Sequence, residues 1–460
     1  MSHEFRSRRQ FLKSSLLGGL GVAAGLRLCR RARAATFSPA EAVNAPIGTP
    51  FGIKPGRVAW AFDPRATSWD GVTNAPGWWD DNNTHPAYVS VMLSKVLRSV
   101  ADSPTDKQSW IKIFTDFNKR HGRGTVGYKA GEKVAVKLNL NQCRTFADSS
   151  EANSSYIAPQ LVQALLGQLI NEAGVAAADI TCYDAIRAVP STIFDRCHQA
   201  YPNVHFADSI GTTGRELARP DTTKPLYLSK GTVTLNYPTC LTAATYLINV
   251  AGLKGHTLAS MTVCAKNHLG STFTTAGAAG ASSMHASIII KGTGAQSMGA
   301  HNGLVDLNGH PQTGGKTLLY MVDAFYATHD NEYKLTTACK WQSAPFNNNW
   351  TSSLLASQDG VAIDSVALDF LRNEPTISAT VTGAVDNYLH EMAQANSPPS
   401  GTFYDPAKTG TRLASLGVHE HWNNATAKKY SRNLGTGLGI ELAAVMTDPA
   451  PSTIRRGVMP

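Results

Sequence analysis

Two lysines and two histidines fall within 15 residues of one another, from Lys254 to His268, in the segment Leu253 to Gly270. Lys254 and Lys266 are residue types that fix a carboxylate, a phosphate or a carbonyl. His256 and His268 ligate metals or move protons near neutral pH, where imidazole titrates. These four are the candidate catalytic residues. Leu258, Met261, Val263 and Cys264 recur between them at helical spacing, and Gly270 is placed to stop a helix. Lys137, Asn139, Asp184 and Asn267 are candidate substrate contacts, with Asn141, Arg144 and Arg187 close by in sequence. Farther on, Lys291 and Asp306 extend the theme across a Gly-, Ser- and Ala-rich stretch, 276–303, that reads as a long active-site loop. His285, His301, Asp323, Asp359 and Asp364 form a candidate donor set for a divalent transition metal, although no H-x-x-x-H or H-E-x-x-H pair is present. Each residue alone has a plainer reading: an Asp after a strand caps a helix or forms a turn, and a surface Lys is solvated. Their recurrence at one structural level is what points to a site.

The elements that must position them predict an α/β fold, a mainly parallel sheet with helices on both faces. From Glu132 onward short apolar runs alternate with helical stretches. Residues 134–140, 179–184, 246–250, 317–323 and 350–356 read as strands. Residues 159–172, a stretch from Ser191, and 361–373 read as helices, with Leu161, Leu165, Leu169 and Ile170 giving the first its apolar stripe. In such a sheet ligands bind beyond the carboxyl ends of the strands, where the polar residues above cluster. Residues 35–131 read as an N-terminal extension with helices near 87–100 and 107–119. Residues 132–373 read as the core. Residues 374–460 read as a C-terminal extension with one short helix near 385–393 and a Pro-containing tail, so the flanks are expected to be irregular.

The formal charge of +9 is concentrated at the start of the chain, where eight of the 42 basic residues and one of the 33 acidic residues lie in the first 34 positions. The remainder carries about +2 and no basic run interleaved with aromatics, which argues against a nucleic-acid partner. Six cysteines follow Cys29, none in a C-x-x-C pair, so an iron-sulfur cluster and c-type haem are disfavoured. The expected state is scattered buried thiols. No G-x-S-x-G elbow or phosphate-cradling G-x-x-x-x-G-K-[ST] is present, and the glycines at 435–439 read as a turn.

Ser7-Arg8-Arg9-Gln10-Phe11-Leu12-Lys13, a soft apolar stretch to Leu26, and Ala32-Arg33-Ala34 have the order of a twin-arginine signal peptide over residues 1–34. This predicts engagement of the twin-arginine translocase, export in the folded state to the periplasm or beyond, and no stable membrane anchor. Six blocks carry a further resemblance: residues 134–139, Tyr183-Asp184, residues 247–256, Ala265 to Gly270, Val322-Asp323, and Ser357 to Asp364. In order and spacing they resemble the family catalogued as domain of unknown function 362, which implies an α/β core over roughly 132–373 and brings no established reaction. The resulting expectation is an exported enzyme with a Lys/His/Asp pocket for a small anionic or carbonyl substrate, with a metal as a candidate cofactor. The alternative is a non-catalytic exported protein that captures such a ligand or a metal.

Overall fold

A computed structural model describes residues 42–145, 153–331 and 333–446; the signal-like segment and the last 14 residues lie outside these. Ten strands form one central sheet: β1 (Arg57–Phe62), β2 (Val134–Leu138), β3 (Ile180–Tyr183), β4 (His205–Asp208), β5 (Glu216–Leu217), β6 (Tyr246–His256), β7 (Ser260–Thr262), β8 (Thr317–Thr328), β9 (Ser353–Ser357) and β10 (Glu441–Met446). Their order is β10-β1-β9-β8-β6-β2-β3-β4-β5, with β7 folded back on β6. Strands β8, β6, β2, β3, β4 and β5 run parallel, as do β10 and β1, whereas β9 is antiparallel to both neighbours. The mixed α/β architecture therefore matches the sequence expectation. The flanks are more regular than expected, since β1 and β10, one from each, extend the sheet.

Alternation along each strand divides the core. Val134, Val136 and Leu138 of β2, with Tyr246, Ile248 and Val250 of β6, pack on one face. Four helices cover that face: α1 (Pro86–Ala101), α2 (Asp106–Arg120), α3 (Pro159–Gly167) and α4 (Ser191–Ala200). Helix α1 forms because Val89, Met92, Leu93, Val96, Leu97 and Val100 make a continuous buried stripe behind Pro86 at its first turn. It stops where Asp102 turns left-handed at φ 49°. Helix α4 begins at Ser191, with Pro190 in the capping position. The opposite face carries Ala135, Leu247, Ala251 and Val322 against α5 (Cys264–Asn267), α6 (Gly360–Asn373) and α7 (Asn387–Ala393). Lys137 and Asn249 alternate onto this second face, which brings them beneath α5.

Strands β6 and β8 run longer than their apolar runs suggested. Lys254 and His256 are consequently within β6, not beyond it. The helical spacing of Leu258 to Cys264 is also overridden, because Ser260–Thr262 pairs antiparallel with residues 254–256 as a hairpin and only four residues become helical. The pairing satisfies backbone groups that would otherwise be buried unpaired. Among the described residues no helix is long and apolar enough to cross a membrane. The six described cysteines are unpaired thiols, five of them buried.

Candidate functional site

At the carboxyl ends of β2, β3 and β6 a network of amides and one ion pair fixes the floor of a cavity. Lys137 is fully buried, and its ammonium donates to Leu138 O at 2.6 Å, Asp184 Oδ2 at 3.1 Å and Asn267 Oδ1 at 3.2 Å. Burial pulls this ammonium below the usual lysine range, and the Asp184 carboxylate opposes the drop. Asp184 also accepts from the backbone N–H of Leu140 and Ile186, so it ties the loops after β2 and β3 together. Asn267 Oδ1 takes a hydrogen bond from Asn139 Nδ2 at 3.1 Å, while Asn267 Nδ2 donates to Asn249 Oδ1 at 2.8 Å. Gly270 lies so close that a Cβ there would stand 2.7 Å from Lys137 Nζ and 2.9 Å from Asp184 Oδ1. Only a residue without a side chain fits against the pair.

Helix α5 is set in place from below. Asp364 on α6 accepts from the Cys264 and Ala265 N–H groups at 2.9 and 3.0 Å, and from Tyr388 Oη at 3.0 Å. A carboxylate capping two orphan amides in this way fixes the helix that presents Lys266 and Asn267. Burial nonetheless raises the Asp364 carboxyl to about 7.

The cavity above this floor measures about 170 Å³ and is lined by Asn139, Asp184, Arg187, His256, Thr262, Lys266 and Asn267, with His285 at its wall. Lys266 is partly open to it, and no carboxylate among the described residues pairs with that ammonium. Burial, then Lys254 and Arg187, brings Lys266 down to about 7. His256 accepts the N–H groups of Leu258 and Ala259 at Nδ1, at 3.1 and 3.2 Å, which leaves Nε2 as the proton-bearing nitrogen of the neutral ring. Burial, reinforced by Lys266 and His285, pushes this imidazole far below its usual range, so it is neutral at physiological pH. His285 is also lowered, by burial and by Lys266. Two polar atoms in the lining, Asn139 Oδ1 and Thr262 Oγ1, are buried with no hydrogen-bond partner. A larger cavity of about 390 Å³ opens elsewhere, beside Phe51, Tyr320, Gly360 and Leu416. That is near the amino end of β8, away from the edge where α/β folds bind ligands.

The structure gathers six of the eight expected catalytic and substrate residues closely: Asn139, Asp184, His256, Lys266 and Asn267 line the cavity, and Lys137 underpins it. Lys254 is buried within β6 and acts on the cavity through its charge on Lys266 and His256. His268 is placed behind the wall, hydrogen-bonded to Asn249 and Ser271, and burial lowers it to about 3.

The expected metal set does not converge. His285 stays in the cavity wall. His301 pairs with Asp306 at 2.9 Å. Asp323 accepts from Ala158 and Phe325 N–H, and burial raises it to about 6. Asp359 caps α6 through Val361 and Ala362 N–H and also receives Phe51 and Val418 N–H. Because β9 runs against the other strands, the residue following it emerges at the opposite edge of the sheet; that is why reading strand ends from sequence misplaced Asp359. Asp386, His419 and His421, none of them anticipated, form instead a buried group with one ligand atom from each within 4.8 Å of the others, so that it could hold a metal ion. Their only sequence signal was the H-x-H at 419–421 in a stretch without clear periodicity. Thr262, in β7, was missed because its hairpin was read as helical.

A family model described as a domain of unknown function (DUF362) matches residues 134–369, half of the chain, spanning every element that builds the cavity floor. No curated protein matches the sequence.

Proposed function

Because the chain belongs to the DUF362 family, whose description assigns no reaction, we propose a function from the cavity itself: an enzyme acting on a small anion that also carries a hydroxyl or carbonyl group. The observation that carries this reading is the imbalance of the lining. Arg187, Lys266 and two histidines face a space whose sole lining carboxylate among the described residues, Asp184, is already engaged by Lys137. An anion restores the charge balance, and Asn139 Oδ1 and Thr262 Oγ1 supply a waiting acceptor and hydroxyl for the uncharged end of the ligand. The volume, below the ~300 Å³ at which drug-sized pockets begin, favours a ligand of a few carbons.

In this reading Lys266 is the proton-transfer residue, since an amine near 7 is divided between acid and base forms at neutral pH. His256 serves as a neutral Nε2–H donor toward a developing oxyanion, because its Nδ1 is occupied by backbone amides. Arg187 holds the carboxylate or comparable oxyanion. Asp184, Lys137 and Asp364 are positioning residues. The export signal at residues 1–34 places this chemistry, in the same reading, outside the cytoplasmic membrane after passage through the twin-arginine translocase. Replacing Arg8 and Arg9 together with lysine then keeps the protein in the cytoplasm.

The test pairs binding with exchange. Small hydroxycarboxylates such as glycolate and lactate, with inorganic phosphate as comparison, are titrated into the protein calorimetrically. Deuterium incorporation at the substrate carbon is followed by NMR in heavy water. Binding that weakens in Lys266→Met, with exchange lost in the same variant, supports the reading. Binding without exchange favours a ligand-capture protein, and no anion binding at millimolar concentration rejects both.

A further inference from the structure

The second cluster lies outside the cavity, where the segment after the matched domain packs against α6. Its two histidines are oriented alike. His421 Nδ1 stands 2.6 Å from Asp369 Oδ1, and that carboxylate is held in turn by Trp422 N–H and Tyr430 Oη at 3.0 and 2.9 Å. His419 Nδ1 stands 2.8 Å from Ser365 Oγ, whose own proton goes to Val361 O at 2.7 Å. Ser365 therefore accepts, and His419 carries its proton on Nδ1. In both rings a partner on Nδ1 orients the imidazole, as carboxylates and hydroxyls orient metal-binding histidines, and one ligand atom from each ring lies within 4.8 Å of the other and of Asp386.

The third member faces the same space. Asp386 Oδ2 accepts from Arg372 Nη2 at 2.6 Å. Its other oxygen, Oδ1, lies 3.3 Å from His421 Nε2, is buried and makes no hydrogen bond. Arg372 thus engages one oxygen of the carboxylate, and the other faces the histidines. A four-coordinate zinc with bonds of about 2.0–2.1 Å keeps its ligand atoms about 3.3 Å apart, as Oδ1 and Nε2 of this pair already are. The ring of His390 on α7 lies 5.1 Å from that of His419, outside the three residues whose ligand atoms converge.

We propose that Asp386, His419 and His421 bind a divalent transition metal of the zinc class, and that this ion clamps the C-terminal segment onto α6. The donors are two imidazoles and one carboxylate, a set that suits zinc better than calcium or magnesium, which prefer oxygen alone. Asp386, His419 and His421 are almost entirely buried, at 3%, 1% and 1% exposure, so the ion's role is structural. None of them lines the cavity, and the proposal stands or falls separately from the anion reading.

The mature protein, stripped with a chelator and reloaded with zinc or cobalt, is assayed by elemental analysis and visible absorption. The expected result is about one metal per chain, with the intense visible bands of tetrahedral cobalt. Asp386→Asn, nearly identical in shape, and His421→Gln lose stoichiometric metal. Ser365→Ala, which removes only the orienting hydroxyl, weakens it by about tenfold or more. Lys266→Met in the cavity retains it. Less than about a fifth of an equivalent on the reloaded wild-type protein overturns the proposal whatever the variants do. So does undiminished metal in a folded Asp386→Asn protein.

Discussion

Replacing Asp184 by Asn keeps the side chain's shape and removes its charge, which isolates what the carboxylate does for Lys137. The ammonium is fully buried, and its remaining acceptors would be Leu138 O and Asn267 Oδ1, both neutral. The backbone amides of Leu140 and Ile186 would lose a charged acceptor as well. Breaking a buried pair from one side costs about 3–5 kcal/mol, because the surviving charge is left in a poorly polarisable surround. A fold of roughly 400 ordered residues, with an unfolding entropy of about 2.1 cal/mol/K per residue, shifts its Tm by about 1.2 °C per kcal/mol. The expected fall is therefore about 4–6 °C by differential scanning calorimetry. Lys137→Met combined with Asp184→Asn should regain much of it, since removing both charges together leaves nothing stranded. An Asp184→Asn protein within about 1 °C of wild type, or a double variant whose loss is the sum of the single losses, would refute the argument that the pair is coupled and desolvated.

Anion affinity should be full below pH 7 and fall by up to about tenfold per unit above it, because only protonated Lys266 attracts the ligand; calorimetry across pH 6–9 reads this, and Lys266→Met should flatten the profile. With a folded value near 7 against about 10.4 unfolded, the unfolded chain binds more protons between those limits. Ligand-free stability should accordingly rise with pH over that window, more steeply in wild type than in Lys266→Met. Gly270→Ala should cost about 1–3 kcal/mol in urea unfolding and weaken anion binding, since the new methyl displaces Lys137 and Asp184. Asp359→Ala removes a helix cap and strands the amides of Phe51 and Val418, for about 2–4 kcal/mol by the same measurement, with anion affinity unchanged.

Four strands of the parallel core, β2, β3, β6 and β8, were legible because each begins as a short apolar run followed by striped helices, as in Val134–Leu138 followed by Leu161, Leu165 and Leu169, whereas the edge strands β4 and β5, only four and two residues long, carry no such run. The cavity residues were legible for the same reason: in a parallel sheet, strand ends share an edge, and Asn139, Asp184 and Asn267 arrive there from three separate segments. Three things were not. The length of β6 and its hairpin with β7 depend on pairing partners that no local pattern encodes, so Thr262 and the true setting of His256 were hidden. The reversed direction of β9 moved Asp359 to the far edge while leaving its local sequence unchanged. Asp386, His419 and His421 belong to a stretch of turns and very short elements, where neither period 2 nor period 3.6 announces what the chain brings together.

The pairing of β1 with β10 has a consequence for the order of events during synthesis. Arg57 meets Glu441 through two hydrogen bonds near 3 Å, although the residues are separated by 384 positions. Until the last of these residues has left the ribosome, Arg57–Phe62 has one open backbone edge, the kind of surface on which strands of different chains associate. The sheet can close only once Glu441–Met446 has emerged, so a chain interrupted before Glu441 should keep that edge open and be recognised as incomplete.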